Sequence, residues 1–269
     1  MIYTELKDKV VIGLTGNDAH KFLNGLVTNY IEQNSISYAL MLSPQGRYIC
    51  DFFIYPLHDG YLLEVPLLAK ESVLSKLLMY KMRSNVDIVD VSSDYLCLYC
   101  DQRYGDLSYP DPRYGKLKYK SIIPVGQKDD LIKHELMLEQ YRLDKYKYSI
   151  PDGHIDLLIN KSFPQEYGMD FLNAISYNKG CYVGQEVIAR TKYRGVIRKK
   201  LYRIESSMAL EHFAQGSKIM LGSQEIGALC SSYQSYGLGL LRQEDTLSSF
   251  ASLEGIELRL SPAIWYGEC

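Results

Sequence analysis

A lysine, a cysteine, a glutamine and a glutamate stand close together in Lys179-Gly180-Cys181-Tyr182-Val183-Gly184-Gln185-Glu186, with Val187-Ile188-Ala189-Arg190 following. The thiolate, not the thiol, is the nucleophile and metal ligand. A lysine two residues away favours it, more so if a helix begins at Gly184 or Gln185. Gly180 and Gly184 permit conformations or close approaches that a side chain would block. Glu186 and Arg190 have the i, i+4 spacing of one helix face. The same residues also suit a glycine-rich loop that caps a helix over a buried, inert cysteine, and the stretch alone leaves both readings open.

Asp51 is the second candidate. It lies inside the apolar run Tyr48-Ile49-Cys50-Asp51-Phe52-Phe53-Ile54-Tyr55, where a carboxylate needs a partner or serves a ligand. Arg47, four residues earlier, is one such partner; exposure to water is the other plain reading. A third feature is the run from Arg190 to Lys200, with Arg190, Lys192, Arg194, Arg198, Lys199 and Lys200 and no acid among them. It suits phosphate, RNA or the carboxylates of an anionic ligand, and equally a solvated linker. Only Tyr193 is interleaved as an aromatic, so the nucleic-acid case is disfavoured. Cys97 and Cys100 have C-x-x-C spacing but fall in a strand-like run, which points them to opposite faces. No P-loop, dinucleotide fingerprint, H-E-x-x-H or G-x-S-x-G occurs.

Alternating and helical patterns supply the elements that must position these groups. Strands are expected at Val10–Leu14, Ser37–Leu42, Tyr48–Tyr55, Tyr61–Val65, Val86–Val91 and Tyr95–Cys100. Helices are expected at Ala19–Leu26, Leu67–Met82 and Lys128–Lys147. Residues 101 to 126, rich in Gly, Pro, Asp and Tyr, read as an irregular connection. From Leu201 short β-like runs separated by Gly-Ser turns indicate a small antiparallel barrel. The chain has 269 residues, which favours two domains, here 1–195 and 196–269. Its net charge of −2 sets up no global field for nucleic acid or membrane. Six sparse cysteines suit a reducing compartment. With no signal peptide or membrane-length apolar run visible, a cytoplasmic location and no membrane partner are expected.

The stretch Lys179 to Glu186, with Arg190, resembles the K-G-C-Y-x-G-Q-E hallmark of the YgfZ family, folate-binding iron–sulphur cluster assembly factors related to the GcvT aminomethyltransferase. Leu14-Thr15-Gly16-Asn17-Asp18-Ala19 and Phe22 to Asn29 are similar to that family's opening segment, and Gly46-Arg47, Asp51 and Tyr55 to its "G-R-x-x-x-D" strand. Asp111-Pro112-Arg113 and Gly195 to Leu201 are similar to the mitochondrial-type branch. The resemblance implies an α+β, GcvT-like folate-binding fold of two intertwined subdomains with a C-terminal antiparallel β-barrel. It implies tetrahydrofolate or a derivative as ligand and no permanently bound metal. As partners it implies iron–sulphur assembly proteins and [4Fe–4S] client enzymes. By the same resemblance Cys181 is the essential thiol, activated by Lys179 and shaped by Gly180 and Gly184, while Gln185 and Glu186 hold the loop. Asp51 faces the pterin, Tyr141 falls near a folate-contacting position, and Arg47 and Arg190 join the binding set. Lys147 stands about where aminomethyltransferases carry a pterin-binding glutamate, which argues against that enzyme activity. The alternatives are one-carbon transfer from folate and a tRNA-modification-linked adaptor.

Overall fold

The computed structural model describes residues 2–130, 132–133, 135–243 and 249–267, so Cys269 lies outside the described residues. Three β-systems make up the chain. The first sheet contains β1 (Ile2–Glu5), β7 (Tyr95–Cys100), β8 (Leu107–Pro110), β9 (Tyr119–Pro124) and β10 (Ile132–Lys133), in the order β10-β1-β7-β9-β8. The second contains β2 (Lys9–Thr15), β3 (Ser37–Leu42), β4 (Tyr48–Leu57), β5 (Gly60–Pro66) and β6 (Asp87–Asp90), in the order β3-β4-β5-β2-β6. The third is a closed antiparallel barrel of β11 (Lys199–Ser206), β12 (Lys218–Leu221), β13 (Gln224–Tyr233), β14 (Tyr236–Arg242), β15 (Phe250–Leu253) and β16 (Ile256–Pro262). The architecture is the GcvT-like mixture of sheet and helix ending in a barrel that the resemblance implied.

β4 shows why this order works. Every residue from Tyr48 to Pro56 is buried, because the strand has a core on both sides. Successive side chains alternate faces. Cys50, Phe52 and Ile54 join a core with α1 (Ala19–Asn24) and α2 (Lys70–Lys81), whereas Phe53 and Tyr55 face a second, central core. Asp51 shares the face of Phe53 and Tyr55. Neighbouring strands repeat the pattern, so Glu64 on β5 accompanies Leu62, and Lys120 on β9 accompanies Ile122. Acids and bases from several strands thereby enter one interior.

The expected connection over 101–126 is a correction. β8 and β9 lie within it and pair from Leu107↔Ile122 to Pro110↔Tyr119. Lys120 hides β9 in the sequence: it occupies a core position with 0% exposure, permitted because Glu64, distant in sequence, neutralises it at 2.6 Å. The helix expected from Lys128 is shorter, with α3 spanning Glu135–Lys147 after a 3₁₀ turn at Val125–Asp130 and β10. The helix expected from Leu67 opens with a 3₁₀ turn at Leu67–Ala69 before α2. Cys97 and Cys100 sit in different cores, as period two requires, and both are free.

The barrel is seated on the rest of the chain through a few contacts. Trp265 lies against Phe171, with ring centroids 5.6 Å apart, and its indole N–H donates to the Ser149 carbonyl at 3.1 Å. The Ser231 hydroxyl on β13 donates to Asp156 at 2.5 Å and receives a bond from Tyr146. Burial, reinforced by the nearby Asp152 carboxylate, pushes Asp156 up to about 7.

Candidate functional site

The motif forms a loop leading into α5 (Gln185–Arg194) and is clamped from two sides. On one side Lys179 reaches back across the chain. Its ammonium donates to the carbonyls of Asn24 at 2.8 Å, Val27 at 2.5 Å and Asn29 at 2.9 Å. Asn24 closes α1, where carbonyls lack helical partners, and Val27 and Asn29 lie in the non-helical chain just beyond it. Burial lowers Lys179 to about 8, while the three carbonyls favour its charged form. On the other side, Gly184 adopts φ +86°, and a Cβ there would stand 2.7 Å from the Ser43 carbonyl oxygen. Only glycine allows the α5 entry to press on the β3–β4 turn.

Cys181 projects from this clamped loop. It is exposed, whereas Cys50, Cys97, Cys100 and Cys230 are buried and free. Burial pushes the thiols of Cys50, Cys97 and Cys230 well up and Cys100 to about 11, which suppresses their thiolates. Among the described cysteines, Cys181 is therefore the one a partner can reach.

Several expected roles are redistributed. Lys179 was expected to activate the Cys181 thiol, but all three of its donors are directed to backbone carbonyls, so it anchors the loop. Gly180 was expected to meet a steric need, but nothing lies within 4 Å of where its Cβ would be. Gln185 and Glu186 were expected to hold the loop. Gln165 instead makes the side-chain bonds, donating to the Ile188 carbonyl and the Tyr177 hydroxyl at 3.0 Å each. Gln165 is 2% exposed; its only sequence signal was a glutamine after Phe163-Pro164. Arg47 does not pair with Asp51. It lies 3.4 Å over the Phe163 ring and donates to the Lys161 carbonyl. Glu186 and Arg190 share a face of α5 but form no ion pair.

Asp51 and Tyr141 occupy the central interior. The Asp51 carboxylate accepts hydroxyl bonds from Tyr38 at 2.8 Å and Tyr48 at 2.5 Å. Gly153 packs so closely that a Cβ there would stand 2.1 Å from an Asp51 oxygen. Tyr141 packs against Tyr99 with the rings tilted and centroids 4.4 Å apart, and receives a long 3.4 Å bond from Arg113. Arg113 is itself paired with Asp111 at 2.6 Å. Burial pushes the Tyr141 phenol up, but Arg113, Lys120, Lys145 and Lys9 outweigh it and the net direction is down. Asp152, buried between Lys9 and Lys145, is driven far below the usual carboxylate range despite the opposing effect of burial.

The two regions are joined through β3. Thr28 donates to the Ala174 carbonyl at 2.6 Å and accepts the Leu40 N–H, while Asn29 donates to the carbonyls of Tyr38 and Asn173. Tyr38 then carries its hydroxyl to Asp51. A cleft of about 460 Å³ opens beside this junction, lined by Asn29, Tyr38, Pro112, Asn173, Ser176 and Tyr177 among others.

Comparison with known proteins agrees with this arrangement. Residues 5–100 match the GCVT N-terminal domain, and residues 198–268 the CAF17 C-terminal beta-barrel domain. The mitochondrial iron-sulfur cluster assembly factor IBA57 homolog of Pyricularia oryzae is 32% identical over 235 residues, 81% of this chain and 60% of the relative. The human mitochondrial iron-sulfur cluster assembly factor IBA57 is 28% identical over 280 aligned positions, 89% of this chain and 77% of the relative. The chain thus spans less than two thirds of the fungal relative's length. The crystal structure of glycine cleavage system aminomethyltransferase T from Bartonella henselae superposes with a TM-score of 0.74 at 10% identity, covering 97% of this chain and 84% of that one. That likeness shows the fold. The cytoplasmic location expected from the sequence is overturned by these relatives, which are named as mitochondrial proteins. Residues 5–100 and 198–268 thus match a GCVT N-terminal domain and a CAF17-type barrel, the fold is GcvT-like, and the relatives the chain is similar to are iron–sulfur cluster assembly factors of the IBA57 type.

Proposed function

We propose that this protein supports the assembly of [4Fe–4S] clusters in client enzymes, in the mitochondrion, with Cys181 as its working thiol. The observation that carries this reading is the exposure of Cys181 on a loop fixed by Lys179 and Gly184. One thiolate supplies one ligand to iron, so its role is a transient bond to cluster iron whose other ligands a partner holds. The names of the relatives support the assembly role. Complementation tests it. In cells lacking the gene, the wild-type chain is expected to restore [4Fe–4S] enzyme activity, and Cys181→Ala to leave it at the deletion level while accumulating as a folded protein. Equal restoration by both overturns the proposal.

Tetrahydrofolate is the ligand we propose for the Asp51 region. The chemistry of the donor set suits a pterin head, since a carboxylate accepts ring N–H groups. Both Asp51 oxygens already hold tyrosine hydroxyls, so a ligand must displace one, and Tyr38 also lines the cleft. Titration calorimetry with tetrahydrofolate should give saturable binding weakened at least ~10-fold in Asp51→Asn, about 1.4 kcal/mol. Absence of binding by the wild type, or equal binding by the variant, counts against it.

A further inference from the structure

The helix α2 ends in a turn whose residue type and backbone conformation disagree. The Ser84 N–H donates to the Lys81 carbonyl at 2.8 Å, closing the β-turn Lys81-Met82-Arg83-Ser84. Its first central residue, Met82, has φ 45° and ψ −109°, the conformation of a type II′ turn at a position dominated by glycine. A methionine there carries backbone strain that glycine would avoid. Packing does not offset the strain, because Met82 is 87% exposed. The turn therefore holds an apolar side chain out in water, where the fold makes no use of it.

Two more apolar side chains stand beside it. Leu78 and Met79 share the outer face of α2 with Met82 and are 56% and 60% exposed, while Val73 and Leu77 point inward and are buried. Helical spacing puts Lys76 and Lys81 on opposite flanks of that face. A groove of about 520 Å³ runs from the turn toward α1, lined by Lys21, Phe22, Met82 and Arg83 among others. Among the described residues Lys21, Lys76, Lys81 and Arg83 form no ion pair. Nearby acids are engaged elsewhere: Asp18 accepts the Asn85 N–H at 2.7 Å, and Asp90 holds Lys70 at 2.8 Å. Asp87 is the exposed acid that follows the turn.

Helix dipoles account for Lys21 and Lys81, each in the last turn of its helix. They do not account for Lys76, Arg83 or the open methionines. We propose that this end of α2 seats the protein on an anionic lipid bilayer surface. Leu78, Met79 and Met82 enter the interface, and Lys21, Lys76, Lys81 and Arg83 meet headgroup phosphates. Apolar side chains ringed by cations make an interfacial contact, and each lysine or arginine near an anionic surface adds attraction. The contact is peripheral: among the described residues no helix is long and apolar enough to cross a membrane. With a net charge of −2 the chain has no overall attraction to such a surface, so the patch acts locally. An acidic protein face is the rival occupant. Three of the four cations are lysines, which protein interfaces disfavour and headgroup phosphates accept, and Met82 projects outward as insertion requires.

Flotation of the full chain with lipid vesicles tests this. The wild type is expected to float with mixed phosphatidylcholine–phosphatidylglycerol vesicles, less so as salt rises, and to stay behind with phosphatidylcholine alone. K81E/R83E should lose at least ~10-fold in partitioning, about 1.4 kcal/mol. Met82→Gly separates the interfacial role from a structural one. It removes the apolar side chain and relieves the turn, so it should float less yet melt about 2–4 °C higher than the wild type. A lower melting temperature with unchanged flotation would mean that Met82 serves the fold, and overturns the proposal. So does a wild type that ignores the mixed vesicles, or that floats equally with neutral ones. Labelled poly-L-glutamate stands in for an acidic protein face, and tighter binding to it than to the mixed vesicles at matched salt would assign the patch to a protein instead.

Discussion

Lys120→Met is expected to destabilise the protein by about 3–5 kcal/mol, because it removes one partner of a fully buried ion pair and leaves the other charged. Lys120 and Glu64 have fully buried side chains 2.6 Å apart. Glu64 also accepts the Tyr55 hydroxyl at 2.9 Å, and the Lys120 ammonium lies 4.2 Å from the Phe53 ring centroid. Burial alone would lower Lys120, but the Glu64 carboxylate outweighs it and the net direction is up. With the lysine gone, Glu64 is left as a buried carboxylate without its counter-charge, the costly half of a broken buried pair. Urea unfolding measures the loss. The double variant Lys120→Met, Glu64→Gln should recover much of the loss, since it removes both charges. A double variant as unstable as the single one would mean that lost packing, not the orphaned charge, sets the cost.

Gly168→Ala is expected to unseat the barrel from the rest of the chain at a cost of about 3–5 kcal/mol, comparable to losing a buried tryptophan. Gly168 has φ +67°, and its Cβ would fall 1.9 Å from the Trp265 ring. The backbone conformation adds roughly 1 kcal/mol of its own for a residue with a side chain. Trp265 cannot move locally, because Phe171 and Tyr266 flank it and its N–H is committed to Ser149. Trp265 is the chain's one tryptophan, so its fluorescence reports the displacement directly. The emission should shift to the red and be quenched more readily by acrylamide, while the barrel's β signal persists in circular dichroism. Unchanged emission with unchanged stability would show that the glycine is dispensable.

The central interior differs from an ordinary hydrophobic core. Lys9, Arg113, Lys120 and Lys145 pair there with Glu64, Asp111 and Asp152, while Asp51 is held by the hydroxyls of Tyr38 and Tyr48. Desolvation makes such an interior a poor source of stability but a strong constraint on which strands meet, since each charge finds its partner in one register only. That explains how a fold of short β-sheets keeps Tyr38, Asp51 and Tyr141 in a defined relation.

Local sequence was enough for the strands with clean alternation and for the barrel that follows Leu201, because period and turn residues are properties of neighbours along the chain. Asp51 was legible as an anomaly for the same reason: a carboxylate among Phe52, Phe53 and Ile54 has to be accounted for. Partners were not legible. Asp51 and Arg47 are four residues apart yet do not meet, while Lys120 is neutralised by Glu64 and Lys179 is held by carbonyls at and beyond the end of α1. β9 could not be read from its own residues, since a lysine at a core position looks like a loop until its counter-ion is in place. Nor could a lysine two residues from a cysteine be told apart from a structural anchor. Sequence determines what each residue can do and which segment it rides on. Which charge is buried, which thiol is exposed, and which ammonium is already spent on carbonyls are decided by long-range packing, because desolvation depends on everything the fold places around the group.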